Sequence, residues 1–373
     1  MSMPFKLIGS GLLMTSALAV VAAAQQPRIE NGAVTAQPAG SPFAQSFRSL
    51  VSSQPDVAWI GYSVPVSDSE RVMCCFDSGT TFVNGMVSNA SGCCGACRLE
   101  PSNGTTMSSR TSSMTPAGVV KLEGADRMVV LYRVADKKIE RVRVFSEDCR
   151  LDAGGRPVQW LENVRPADSI ALLESLTTVD EDLKGRITDG AITAIALHGD
   201  PGADASLERL VAPGRPEAVR KKVTFWLGNS RGRRGFDALR RVMRDDPSIE
   251  VRKAAIFGLS QSRVPETFDT LVNIARSDAE PRLRSEALFW LAQKAGQKVS
   301  ATIAESIDKD PNTEVKKKAV FALSQLPKDD GVPLLIQVAR TNPNLEVRKQ
   351  AMFWLGQSKD PRAVEFFADV LRK

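Results

Sequence analysis

The second half of the chain repeats one hydrophobic pattern. Blocks of 32 residues starting at Val219, Val251, Leu283, Val315 and Val347 align without a gap. Position nine is always Leu (Leu227, Leu259, Leu291, Leu323, Leu355), and position five is Val or Ala (Val223, Ala255, Ala287, Ala319, Ala351). At 100° per residue, positions one, five, nine and twelve share one face of a helix. Position seven is always Phe (Phe225, Phe257, Phe289, Phe321, Phe353) and points away from that stripe. A helix with two apolar sides is expected between neighbours in a stack. Each block holds a second helix, with Phe268, Leu271, Ile274 and Ala275 as an example of its apolar positions. The turns between blocks carry Asp246-Pro247, Asp310-Pro311 and Asn342-Pro343. The Asp or Asn is expected to cap the next helix, and the Pro to suit its first turn. A weaker sixth copy starts at Ile187, and Pro166 to Leu176 reads as a capping helix. One helical hairpin cannot cover both its faces, so the period predicts an all-α solenoid over 166–373.

Upstream the pattern changes to β-branched runs. Val57 to Val66, Val129 to Val134 and Ile139 to Phe145 have strand composition, with a hairpin turn at Ala135 to Lys138. A second turn, Asp152 to Gly155, precedes Val158 to Leu161. This predicts a small antiparallel β domain over 57–165, built on a meander, with a mobile Ser/Thr/Gly-rich loop at 101–118. The fold class is therefore α+β and multidomain. Residues 25–56 hold Pro27, Pro38, Pro42 and Pro55 without apolar periodicity and read as a flexible tether. Residues 1–24 run from Lys6 through an apolar stretch to Ala22-Ala23-Ala24. That is the pattern of a secretory signal cleaved after Ala24, which predicts a periplasmic or secreted protein. Only an uncleaved signal would associate the chain with a membrane.

All six cysteines, Cys74, Cys75, Cys93, Cys94, Cys97 and Cys149, fall in the β region. An even number in an oxidising compartment predicts three disulfides of unassigned connectivity. Two sharper readings compete. Cys94-Gly95-Ala96-Cys97 has redox CxxC spacing, but redox use wants a helix N-terminus, and Pro101 and Gly104 oppose a helix there. The same pair joined by Cys74 or Cys75 would offer zinc ligands. The chain has a single His, His198, so sites needing two or more histidines are excluded. No phosphate-binding loop, nucleophile elbow or calcium loop is present. No catalytic residue, metal or cofactor is assigned.

The pattern D-P-x-x-x-V-R/K, seen at Asp246-Pro247 with Val251-Arg252 and at Asp310-Pro311 with Val315-Lys316, resembles the HEAT-repeat family. The same spacing of six joins Asp278 to Arg284 and Asn342 to Arg348. The resemblance is to the short bacterial class named after phycobilisome lyases and covers roughly 187–373. It implies a right-handed solenoid of about six hairpins, with these eight residues forming a hydrogen-bonded ladder between units. Glu280-Pro281 and Thr188 depart from the pattern. The class includes bilin lyases and a di-iron deoxyhypusine hydroxylase. The hydroxylase's His-Glu pairs have no counterpart in a chain with one His, and lyase activity would belong in the cytoplasm, against the export signal.

Charge singles out one block. Residues 219–250 hold nine Lys or Arg against four Asp or Glu. Arg231, Arg233, Arg234, Arg240, Arg241 and Arg244 are either a solvated face or a docking patch for an acidic partner. Position eight alternates large and small: Trp226, Gly258, Trp290, Ala322, Trp354. That is either packing or an aromatic stripe for a ligand. Position eleven is an amide throughout (Asn229, Gln261, Gln293, Gln325, Gln357). The resulting expectation is an exported, non-catalytic scaffold that binds a protein partner rather than nucleic acid. A thiol-disulfide enzyme using Cys94 and Cys97, or a lyase-type activity, is the alternative.

Overall fold

The computed structural model describes residues 28–54, 56–67, 97–100, 126–178, 186–295 and 299–372. The expected signal segment, the loop at 101–118 and Cys74, Cys75, Cys93 and Cys94 lie outside them. Among the described residues no helix is long and apolar enough to cross a membrane.

Residues 28–53, expected to be a tether, are folded. They form β1 (Arg28–Glu30), β2 (Val34–Pro38) and the helix α1 (Phe43–Ser53). Phe43, Phe47 and Val51, spaced at i, i+4 and i+8, bury one side of α1. Pro38 closes β2 and Pro42 stands at the N-cap of α1, where no interior helix or ladder bond is lost.

The sheet is mixed rather than purely antiparallel. β3 (Ala58–Pro65), β5 (Arg127–Ala135), β6 (Lys138–Ser146) and β8 (Val158–Glu162) join β2 in the order β2-β8-β3-β5-β6. The β5–β6 hairpin forms where expected, with Asp136 and Lys137 both at positive φ, as a two-residue hairpin turn requires. β8 does not extend the meander. It lies between β2 and β3 and runs parallel to both. Val158, Trp160 and Leu161 are all buried, which suits an interior strand covered on both sides. A second, all-parallel sheet, β1-β7-β4, adds β4 (Cys97–Arg98) and β7 (Arg150–Asp152). It covers the sheet face that carries Trp59, Leu131, Phe145 and Trp160.

The opposite face carries Ile60, Tyr62, Val130 and Tyr132 and shares one continuous core with α1, α2 (Pro166–Ser175), α3 (Arg186–Leu197) and the array beyond. α3 and α4 (Gly202–Leu210) form the sixth hairpin. The five blocks supply first helices α5 (Glu217–Ser230), α7 (Ile249–Gln261), α9 (Pro281–Ala295), α11 (Thr313–Ser324) and α13 (Leu345–Ser358). Their second helices are α6 (Gly232–Asp245), α8 (Thr267–Ser277), α10 (Ser300–Lys309), α12 (Lys328–Thr341) and α14 (Pro361–Arg372). Positions one, five and nine are at most 5% exposed in all five blocks, so the period-derived stripe is the core. The helix caps differ from expectation. Ser248, Asn312 and Asn344 accept the first amides of α7, α11 and α13. The preceding Asp246, Asp310 and Asn342 instead accept the amide two residues on, which shapes the turn.

Candidate binding face of the helical array

Charged rungs fix the spacing of the first helices. Arg284 donates twice to Asp310, from Nε to Oδ2 at 2.7 Å and from Nη2 to Oδ1 at 2.8 Å, and its Nη1 donates to the carbonyl of Asp278 at 2.8 Å. One guanidinium thus ties the turn six residues before it to the turn 26 residues after it. Arg220 grips Asp246 in the same way, at 2.9 and 3.2 Å, and Arg252 reaches Asp278 at 3.0 Å. The expected ladder had not included Arg220. It had included Lys316, six residues after Asp310, and Asn342, six before Arg348, and there the rung changes. Asn342 offers no charge, and Lys316 turns back to the carbonyl of Asp308 at 2.7 Å. Arg348 donates to the carbonyls of Asn342 and Pro343, at 2.7 and 3.2 Å.

That spacing brings the position-seven and position-eight rings into one ladder. Phe225 stacks on Phe257 (5.7 Å between centroids, planes 20° apart), and Phe289 on Phe321 (6.1 Å, 5°). Trp290 bridges Phe257 to Phe289, at 4.6 and 5.0 Å, and Trp354 bridges Phe321 to Phe353, at 4.9 and 5.0 Å. Trp226 sets its ring edge-on to Phe225 at 5.1 Å. The ridge therefore runs along all five first helices. Every ring on it is half-buried except Phe353, which is exposed. The tryptophans pack, as one expectation had it, and they also form part of a surface stripe, as the other had it. The small residues between them let helices close up: a Cβ on Gly258 would strike the carbonyl of Thr224.

Polar rows border the ridge. Lys221, Lys253, Lys317 and Lys349, at position three, pair with Glu217, Glu250, Glu314 and Glu346 at 3.0–3.6 Å. The position-eleven amides lie on its other border, about 40° around the helix from the Phe. Trp290 Nε1 donates to Glu286 at 2.8 Å. Trp354 has Gln350 at the equivalent position, and its buried Nε1 has no acceptor. A groove of 520 Å³ opens between α9 and α11 beside Phe289 and Phe321, with Lys253, Glu286 and Lys318 at its walls.

Residues 212–292 and 300–373 match the HEAT repeat family. The helical array is a HEAT-repeat solenoid. Its fold is similar to that of Kap121p, at 13% identity and a TM-score of 0.34, over 52% of this chain and 25% of Kap121p. It is also similar to YibA of Escherichia coli, at 26% identity and a TM-score of 0.33, over 49% of this chain and 68% of that one. A third likeness is to the CpcE–CpcF complex of phycocyanin lyase from Nostoc sp. PCC7120, at 18% identity and a TM-score of 0.31, over 55% and 81% of the two chains. The chain thus spans about a quarter of the length of Kap121p. No curated protein matches it in sequence.

The arginines expected to form a docking patch are mostly engaged within the HEAT array. The side chain of Arg231 is only 7% exposed, paired with Asp204 at 2.6 Å and donating to the carbonyl of His198 at 3.0 Å. Arg234 meets Asp204 and Glu208, Arg241 meets Glu208, Arg233 meets Glu266, and Arg244 meets Asp245. Arg240 lies over the ring of Phe236 at 5.9 Å. Arg231 is therefore a structural residue. Sequence could count these charges but could not place the carboxylates of α4 and of Glu266, just before α8, opposite them.

Elsewhere the chemistry-bearing residues are internal. Cys149 is buried and disulfide-bonded. Cys97 opens β4, a strand, rather than standing at a helix N-terminus. His198 is fully buried, and its Nδ1 accepts the amide of Asp200 at 3.2 Å. Burial brings its pKa down to about 4. The chain's two tyrosines meet in the shared core, where Tyr62 and Tyr132 hydroxyls are 2.6 Å apart and Ser169 joins Tyr62 at 3.0 Å. Burial pushes Tyr62 up to about 12. Among the described residues no group of three or more His, Cys, Asp or Glu side chains is gathered as a metal site.

Proposed function

We propose that the chain is an exported, non-catalytic scaffold whose HEAT array holds an extended segment of a protein partner along the aromatic ridge. The observation that carries this is the ridge itself: eight rings in unbroken contact along five helices, left half-open to solvent. An exposed apolar stripe of this length is costly unless something covers it. The Phe rings pair in parallel, offset stacks, Phe225 with Phe257 and Phe289 with Phe321, so the ridge offers a continuous apolar strip with ring edges among it. Such edges carry the positive end of the ring quadrupole and suit carbonyl oxygens beside aliphatic side chains. The bordering amides both donate and accept, as a peptide backbone demands. Export rests on residues 1–24, and disulfides joining the remaining cysteines belong to the same proposal.

A photo-crosslinking residue placed at Gln325, beside the ridge, tests it against one at Gln337, exposed on α12. The expected result is a protein adduct at Gln325, none at Gln337, and loss of the first with Phe289→Ala plus Phe321→Ala while the thermal melt stays cooperative. Equal adducts at both positions would refute the ridge as the binding face.

A further inference from the structure

One block lacks the acid–base pair that borders the ridge in the others. In the blocks at Val251, Val315 and Val347 the residue before position one is Glu and position three is Lys. They pair as Glu250 with Lys253, Glu314 with Lys317 and Glu346 with Lys349, at 3.0–3.6 Å. In the block at Val219, Lys221 meets Glu217 instead. The block at Leu283 has Arg282 and Ser285 in those two places. An acid has become a base, and a long base has become a short hydroxyl. Ser285 Oγ donates back to the carbonyl of Pro281 at 3.0 Å, so its side chain stays on its own helix. The 520 Å³ groove lies where the pair is lost, with Arg282 and Ser285 in its lining and Phe289, Val315 and Phe321 as its apolar wall. That volume falls in the range of about 300–1,000 Å³ typical of ligand clefts.

The charges around the groove are not equally free. Glu286 accepts Trp290 Nε1 at 2.8 Å and has Lys253 at 4.0 Å, and Glu314 holds Lys317 at 3.0 Å. Glu280 Oε1 accepts the amide of Arg282 at 3.2 Å. Arg282 on α9 and Lys318 on α11 are both exposed, and among the described residues neither is paired with a carboxylate. The lining charges balance in number, but its carboxylates are engaged and two of its cations are not. Two free cations beside an apolar wall complement a ligand with one apolar and one anionic group.

We infer that this groove is the anchor subsite of the ridge: it takes a large apolar side chain of a protein partner, and Arg282 with Lys318 takes the carboxylate of an Asp or Glu next to it. The inference rests on the reading of the ridge as the partner-binding face. Five like repeats would let an extended segment slip along the rings by one unit. A single block that differs in shape and charge fixes where the segment stops.

The probe is a random heptapeptide library displayed on phage and selected on the immobilised full chain. Enriched peptides should carry an aromatic or large aliphatic residue beside an acid. Arg282→Glu with Ser285→Lys gives this block the pair that Glu250 and Lys253 form, so the fold is kept while the groove is filled. It should weaken binding of an enriched peptide at least about tenfold by fluorescence anisotropy, with an unchanged melting temperature. Arg282→Glu with Lys318→Glu should turn the selection toward basic peptides. Failure of any peptide to enrich, enriched peptides without an acid, or binding indifferent to these changes would overturn the inference. The adduct formed through Gln325 separates the two readings. If it persists undiminished in Arg282→Glu with Ser285→Lys, the subsite fails and the ridge stands; if it is no stronger than at Gln337 in the unaltered chain, both fail. Sedimentation showing a dimer that Arg282→Glu with Ser285→Lys dissolves would assign the groove to a second copy and overturn the inference as well.

Discussion

Replacing Asp310 by Ala tests whether the charged rungs hold the array in register. The Arg284–Asp310 pair is bidentate and buried at both ends, and Asp310 Oδ1 also accepts the amide of Asn312 at 2.9 Å. Removing the carboxylate leaves a guanidinium out of water with no counter-charge, which costs about 3–5 kcal/mol. Asp310→Asn should cost less, about 2–3 kcal/mol, because an amide oxygen can still shape the turn, as Asn342 does toward Asn344 at 3.0 Å. Arg340–Asp369 supplies the contrast: it is a single 3.5 Å contact between half-exposed side chains. Asp369→Ala should change stability by less than about 0.5 kcal/mol. A stacked array need not unfold in one step, so the assay is amide hydrogen exchange across α9–α12 together with urea titration. Exchange should accelerate on both sides of the 310 turn in Asp310→Ala and stay unchanged in Asp369→Ala. The double change Arg284→Met with Asp310→Leu should recover most of the loss, since a buried pair is needed mainly by its own surviving partner. If Asp310→Ala and Asp369→Ala prove equal within about 0.5 kcal/mol, the rungs do not carry the register.

His198 should make folding sensitive to acid. The unfolded imidazole takes its proton near the ordinary value of 6.5 and the folded one near 4, so stability is intact above the first and falls by about 3 kcal/mol as pH drops to the second. An NMR titration placing the folded imidazole near 6.5 would remove that account. Tyr62→Phe should cost about 1–3 kcal/mol, because the hydroxyls of Tyr132 and Ser169 lose their shared partner. Tyr62→Phe with Tyr132→Phe should be milder, by calorimetry. Gly228→Ala should destabilise by about 1–3 kcal/mol, since the added Cβ strikes the carbonyl of Gly258. Gly356→Ala, one period-multiple later and facing open space, should stabilise by about 0.5–1 kcal/mol; equal signs in the two melts would contradict the packing described.

The array was legible because a 32-residue period samples the same environment five times. Val219, Leu227 and their equivalents could be placed in the core from spacing alone. The rungs were half-legible. Spacing of six from Asp to Arg marks the backbone contact within a turn, but the carboxylate contact spans 26 residues and appears only once helices are stacked. The ridge is hidden in the sequence for a similar reason. Trp at position eight alternates and drew notice, while the invariant Phe at seven reads as packing until Phe225 and Phe257 are seen face to face. The N-terminal region was least legible. Proline suggested a tether at 28–53, yet Phe43, Phe47 and Val51 carried a helical period across it. The sequence of β8 suggests the next hairpin strand, because nothing local reveals that β2, far upstream, will claim its other edge.

The sheet and the array form one body because the sheet does for α3 what a neighbouring hairpin does for the later helices. A Cβ on Gly190 would strike the carbonyl of Val142, so α3 lies directly on β6. Val66 bridges to His198 at the end of the same helix, and the amide of Gly199 donates to the carbonyl of Pro65 at 2.8 Å. Ile192 and Ile195 are thereby covered without a preceding repeat. Stacked hairpins need such a cover, since each leaves an apolar face for the next. At α3 the face a preceding hairpin would cover is closed instead by backbone-to-backbone contact with the sheet.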